Sequence, residues 1–256
     1  MRVEIRSALE WDAEGIDAIV KGCADETALL ISPAGSKGYA AFLRADIRLG
    51  RSNSQFVVAE SGEELVGVAE FRRMPNRIFV NHIYVRPEAR RQGIGSRLLA
   101  AGLAGLDDQF SEIALDVDSN NEVARRWYAS LGLVEVEEAV WSIVESSCLD
   151  GAIGWWRLGN AVLASISLER FGFCVYEVVT YNGEWRLGYT GRAARILDAT
   201  AVKETGVLAA VRTLAPDRPL VFRGEASLVP SASELGKRLR MEGKIAAVAR
   251  KVGVVR

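Results

Sequence analysis

The sequence predicts an α/β chain: a mixed, mostly antiparallel sheet flanked by helices, followed by a second, smaller α+β domain. Three observations carry this expectation. Strand-like apolar runs alternate with helix-period segments from Val3 to Ile143, a strong hairpin pattern follows at Tyr176, and the charge balance changes sign between them. Residues 1–147 carry 16 basic and 23 acidic side chains, residues 148–256 carry 16 and 10. With Ser146–Gly151 as linker composition, this predicts domains 1–147 and 148–256. The second is either a partner domain of unknown role or a degenerate copy of the first.

Val3–Arg6 alternates charge and apolar residues as a strand does. Trp11–Cys23 and Gly38–Leu49 have helical spacing and are joined by the Ser32–Ser36 loop. Gln55–Glu60, the turn Ser61-Gly62 and Leu65–Phe71 read as a hairpin. Ile78–Val85 is the next strand, broken at Pro87, with a helix running on to about Leu106. Ile113–Val117 is a strand. Ser119 and Glu122 have capping-box spacing at the head of a helix that Gly132 stops, and Leu133–Ile143 closes the set. Beyond the linker, Tyr176–Tyr181 and Trp185–Tyr189 flank Asn182-Gly183, a hairpin signal. Ala199–Leu214 has helical spacing, Pro219–Phe222 is strand-like, and the basic end is read as mostly helical.

Composition narrows the function classes. Of 256 residues, 49% are hydrophobic and 25% charged, which is ordinary globular usage with material for two cores. One histidine and three widely spaced cysteines argue against a zinc site, so no metal is expected. Scattered cysteines suit a reducing compartment. With no secretory core at the N-terminus and no bilayer-length apolar run, the reading is a cytoplasmic protein with no membrane partner. The tail bearing Lys237, Arg238, Arg240, Lys244, Arg250 and Lys251 is read as solvated charge rather than a nucleic-acid surface, because Gly236 and Gly243 interrupt its stripe. A homo-oligomer is compatible with all of this.

The chemistry lies in Arg90-Arg91-Gln92-Gly93-Ile94-Gly95, between the Ile78–Val85 strand and a helix opening at Ser96. A strand that breaks and then starts a helix leaves first-turn N–H groups pointing outward, aided by the helix dipole. Gly93 and Gly95 lack a Cβ, so an anion such as a diphosphate can approach the backbone. A Rossmann fingerprint fails, because Leu98 stands where its third glycine belongs. A P-loop fails for want of Gly-Lys-Ser/Thr. The bland alternative is a tight turn that contains two glycines.

The run Val85–Leu99, with Arg90-x-x-Gly93-x-Gly95 after a strand, resembles the acetyl-CoA-binding motif of the GCN5-related N-acetyltransferase family, Arg/Gln-x-x-Gly-x-Gly/Ala. Asn121-x-x-Ala124-x-x-x-Tyr128-x-x-x-Gly132-Leu133 resembles that family's second signature at a fitting distance. The resemblance covers residues 1 to about 145. It implies the acyl-CoA N-acyltransferase fold, acetyl-CoA as co-substrate, and direct transfer of an acetyl group to an amine, on a small molecule or a peptide. By the same resemblance Arg90, Arg91, Gln92, Gly93, Ile94, Gly95 and Ser96 hold the diphosphate. Ile83, Tyr84 and Val85 present backbone to the pantetheine arm and thioester, and Asn121 meets the cofactor from the other side.

Tyr128 matches the family's usual general acid, which protonates the departing thiolate. As plain structure it is a core aromatic on the helix face shared by Asn121, Ala124 and Leu131. The base is open between Glu70 and a water held by Asn81, which stands where the family often has a glutamate. His82 has a suitable intrinsic pKa, but alternation turns it away from Asn81 unless a bulge intervenes. The competing reading from another class is a non-catalytic acyl-CoA-binding or interaction module that keeps the loop without turnover.

Overall fold

The computed structural model describes residues 3–50, 53–106, 109–149 and 151–254. The chain forms two compact units, neither of them contiguous in sequence: residues 1–24, 40–138 and 238–256 make the first, residues 25–39 and 139–237 the second. The division after the central stretch thus falls between 138 and 139, whereas composition suggests one near 147. Two segments are exchanged, for reasons visible in their contacts below.

In chain order the helices and strands are β1 (Val3–Ser7), α1 (Ala13–Cys23), α2 (Glu26–Ile31), α3 (Tyr39–Leu49), β2 (Ser54–Ser61), β3 (Glu64–Arg73) and β4 (Arg77–Val85). Then follow α4 (Ile94–Ala104), β5 (Glu112–Asp118), α5 (Glu122–Ser130), β6 (Val134–Val144), β7 (Arg157–Leu158), α6 (Ala161–Phe171) and β8 (Cys174–Thr180). The chain ends with β9 (Gly183–Tyr189), β10 (Ala194–Ile196), α7 (Thr205–Leu214), β11 (Leu220–Arg223), β12 (Ser233–Lys244) and α8 (Ile245–Lys251).

In the first unit the strands run β1-β2-β3-β4-β5-β12, antiparallel except for the β4–β5 pair. A main core of Phe71, Ile78, Val80, Leu98, Leu99, Leu103, Ile113, Leu115, Met241 and Val248 joins α4 and α8 to the sheet. Helix α4 lies so close to the sheet that a Cβ on Gly102 would sit 2.1 Å from the Phe71 ring. The closing strand is the surprise, because the sequence reads the basic end as helical. Arg238 to Lys244 is instead paired with Asp118 to Glu112. Arg240 bonds Asp116, Arg238 lies 3.8 Å from Asp118, and Lys244 bonds Glu112 at 2.8 Å, so the basic stripe is matched by the acidic side chains of β5. Cross-strand opposite charges and the buried Leu239 and Met241 hold it there.

The second unit orders its strands β6-β11-β10-β9-β8-β7, using Trp141–Val144 of β6, and again the one parallel pair is β10–β11. Each strand has a counterpart in the first unit: a hairpin, a third antiparallel strand, a helical crossover, a parallel strand and an antiparallel closing strand. The second unit is thus a repeat of the first in topology. Residues 25–39 pack here because they satisfy its buried polar groups. Thr190 Oγ1 donates to Leu30 O at 3.1 Å, Ser36 Oγ donates to Thr190 O, Arg195 donates to Ile31 O, and Arg192 pairs with Glu26 at 2.7 Å. Leu30 and Ile31 add apolar contact against Trp141 and Val221.

Candidate functional site

Strands β4 and β5 pair from Arg77↔Glu112 to Val80↔Leu115, and no further. β4 continues to Val85 and β5 to Asp118, so the two strands part and leave one edge of β4 without a strand partner. The parting coincides with a β-bulge. Glu70 faces His82 and Phe71 faces Val80, which leaves Asn81 as the extra residue. The bulge resets the alternation, so His82 comes onto the face of Glu70, and the expectation of opposite faces gives way.

Beyond the bulge the ladder is regular, and Arg86 N–H donates to Val66 O at 2.9 Å. Hydrogen-bonded and non-bonded pairs alternate in an antiparallel ladder, so Tyr84, opposite Val68, spends its backbone on β3. Ile83 and Val85 turn theirs to the free edge. Of Ile83, Tyr84 and Val85, the register turns the backbone of two toward that edge. At the Val85 carbonyl, Arg90 Nε donates at 3.0 Å and Cys23 Sγ lies at 3.7 Å. Arg90 is therefore a strap from the loop to the strand.

The loop fits an anion. Arg91 (φ 62°) and Gly93 (φ 71°) are left-handed, the latter as N-cap of α4. Successive turns of this kind gather backbone N–H groups into a concavity. Arg97 N–H returns to Gly93 O at 3.1 Å, so the amides of Ile94, Gly95 and Ser96 in the turn before it lack intrahelical acceptors. A Cβ built on Gly93 meets nothing within 4 Å, whereas one on Gly95 would touch Trp127 of α5 at 3.6 Å. Gln92, Arg90 and Arg91 are exposed beside this opening.

Helix α5 brings Asn121 and Tyr128. The helix is capped by Asn121, whose Oδ1 accepts from Ala124 N–H at 3.1 Å, in place of the expected Ser119–Glu122 box. Tyr128 is 8% exposed, its ring 4.8 Å from that of Trp127. Burial, and after it the nearby Tyr84, push its phenol above the ordinary range, further from ionising than a free tyrosine.

Glu70 is 3% exposed and surrounded by donors. Ser54 Oγ donates at 2.8 Å, Asn81 Nδ2 at 2.7 Å and Arg72 at 3.1 Å, while His82 Nδ1 lies at 3.6 Å. Burial pushes the carboxyl up, but the charges of His82 and Arg72 and the bonds from Ser54 and Asn81 outweigh it, so it sits below the usual carboxylate range. Burial pushes His82 down, Arg72 adds to this and Glu70 opposes it, so the imidazole sits below its usual value. Its ring stacks on Tyr84 with centroids 5.2 Å apart, and Nε2 is buried with no hydrogen-bond partner. Sequence reasoning set His82 aside for want of the bulge, which leaves no local signature.

The second unit builds nothing comparable. Between β10 and α7 the chain has no Gly-x-Gly. A Cβ on Gly206, in the first turn of α7, would sit 2.7 Å from Trp155 O, so the Gly154–Trp155 backbone lies against that turn. Among the described residues no group of three or more His, Cys, Asp or Glu could hold a metal ion, and no helix is long and apolar enough to cross a membrane.

A strand splayed beside a bulge and followed by a loop of outward-facing amides is the arrangement against which known proteins were compared. Residues 25–133, less than half of the chain, match the acetyltransferase (GNAT) family. Three solved structures share the fold across both units. A Pyrococcus horikoshii protein assigned as an acetyltransferase has a TM-score of 0.66 at 14% identity, covering 94% of this chain and 89% of its own. A tandem GNAT protein from the clavulanic acid biosynthesis pathway has 0.64 at 12%, covering 95% and 99%. A GCN5-related N-acetyltransferase from Sphaerobacter thermophilus has 0.62 at 14%, covering 95% and 96%. The tandem protein accords with the repeat of topology found here. No curated protein matches the chain in sequence.

Proposed function

We propose that this protein is an acetyl-CoA-dependent N-acetyltransferase whose first unit moves the acetyl group directly to an amine, on a small molecule or a peptide. The observation that carries this is the conjunction, in one unit, of the Arg91–Ser96 nest with the free edge of β4 at Ile83 and Val85. The amides of Gln92 to Ser96 would hold the diphosphate, with Arg91 supplying charge beside it. Asn121 would line the opposite side through its uncommitted Nδ2. Ile83 and Val85 would pair with the pantetheine arm as a neighbouring strand pairs.

Bound there, acetyl-CoA supplies an activated thioester that an amine opens with release of a thiol. Tyr128, a buried phenol, is the group we assign to give the departing sulfur its proton. Asn81 is assigned to the acceptor side, as the group that receives the amine and holds the water through which its proton leaves, with the buried Glu70 behind it. Direct transfer to the amine uses none of the described cysteines, which are all free. The test is thiol release from acetyl-CoA in the presence of tyramine, putrescine or the tripeptide Ala-Gly-Gly. Amine-dependent release supports the enzyme. Acetyl-CoA binding without release from any of them supports the binding-module reading instead.

A further inference from the structure

An ionised carboxylate accepts hydrogen bonds and has none to donate. Glu70 is such a group, buried among Ser54, Asn81, Arg72 and His82. An amide beside it can satisfy it only by turning its NH2 inward. Asn81 does this, with Nδ2 2.7 Å from Glu70 Oε2. Its Oδ1 must then face the other way. Asn81 is exposed, and it is the bulged residue at the point where β4 leaves β5. The parting strands therefore carry at their root a fixed carbonyl oxygen, an acceptor without a proton of its own.

We propose that Asn81 Oδ1 is the atom that recognises the acceptor amine, and that Glu70 is a positioning residue that imposes this orientation on the Asn81 amide. The inference rests on the N-acetyltransferase reading and sharpens it. The acceptor is an amine bearing at least one N–H, which it keeps for Oδ1 while its lone pair is directed at the thioester. Ser54 and Arg72 act behind Glu70 by keeping it anionic and still.

Glu70→Gln tests the orientation. A glutamine can donate to Asn81 Oδ1, which lets the Asn81 amide turn its NH2 outward and present a donor to a donor. The KM for the fastest of tyramine, putrescine and Ala-Gly-Gly should rise about tenfold, roughly the value of one net hydrogen bond, with the Kd for acetyl-CoA unchanged. Combining Glu70→Gln with Asn81→Asp should restore KM, because a carboxylate presents an acceptor oxygen whichever way it turns. A merely structural role for Glu70 would not be rescued so. Asn81→Ala, at an exposed position, should raise KM like Glu70→Gln and serves if that variant fails to fold. A KM within twofold of wild type in Asn81→Ala, or a double variant no better than Glu70→Gln, overturns the proposal while leaving the enzyme reading intact. A wild-type protein that binds acetyl-CoA and acetylates none of these amines overturns both.

Discussion

Replacing Gly93 by alanine separates the ligand role of the loop from its backbone strain. The residue holds φ 71° as N-cap of α4, and the space around its absent Cβ is open. The fold therefore meets only the left-handed penalty of about 1–2 kcal/mol, and no clash. In the bound state the new methyl would stand where the diphosphate meets the backbone. Displacing even one charge-assisted hydrogen bond costs about 1.5–3 kcal/mol, which at 1.4 kcal/mol per factor of ten raises Kd by about 10- to 150-fold. Gly62→Ala is the control: its φ is 66°, its surroundings are equally open, and it lies in the β2–β3 turn. Calorimetric titration with acetyl-CoA and a thermal melt should show both variants losing similar stability, and Gly93→Ala alone losing affinity. Equal Kd values for Gly93→Ala and wild type would refute the assignment of this loop to the diphosphate.

Tyr128→Phe should lower kcat by about 100-fold or more, the usual worth of a positioned acid, while the Kd for acetyl-CoA stays within a few-fold; near wild-type turnover would return Tyr128 to the core. Stability should also fall as pH drops below about 6.5, because His82 is held neutral in the fold and takes up a proton more readily when unfolded. The sign is that of a depressed folded pKa: the contribution is complete above the unfolded value and is lost as pH falls through the folded one. His82 is the sole histidine, so urea titrations between about pH 6.5 and 5 should show a fall in stability that is absent in His82→Gln. Glu70, also depressed, extends the loss below its unfolded value near 4.5, where Glu70→Gln should flatten the curve.

The strands and helices of the first unit were legible because β2 and β3 are continuous apolar runs and the helices bury one face, and the Gly93-Ile94-Gly95 turn because Gly93 holds left-handed backbone. The bulge was not. One extra residue at Asn81 leaves no mark in a run that is apolar on both sides, yet it decides whether His82 faces Glu70. The end of the chain misled for a related reason. Leu239 and Met241 alternate with Arg238, Arg240 and Glu242 as a strand requires, but this period is short and the charges drew attention to a helix stripe. Their acidic partners Asp116 and Asp118 lie more than a hundred residues away, beyond any local pattern. The loan of residues 25–39 to the second unit is equally non-local, since its reasons are the hydroxyl of Thr190 and the guanidinium of Arg195.

The closing strand of the first unit also sets the order in which this protein can be made. β5 acquires its neighbour only when residues 238–244 have emerged, after every strand of the second unit. Until then β5 presents an open edge, a template for pairing with other chains. Synthesis therefore cannot finish one unit before starting the next, and the two halves must mature together. A folding intermediate captured on the ribosome should hold the β1–β4 meander formed and the acidic edge of β5 still exposed.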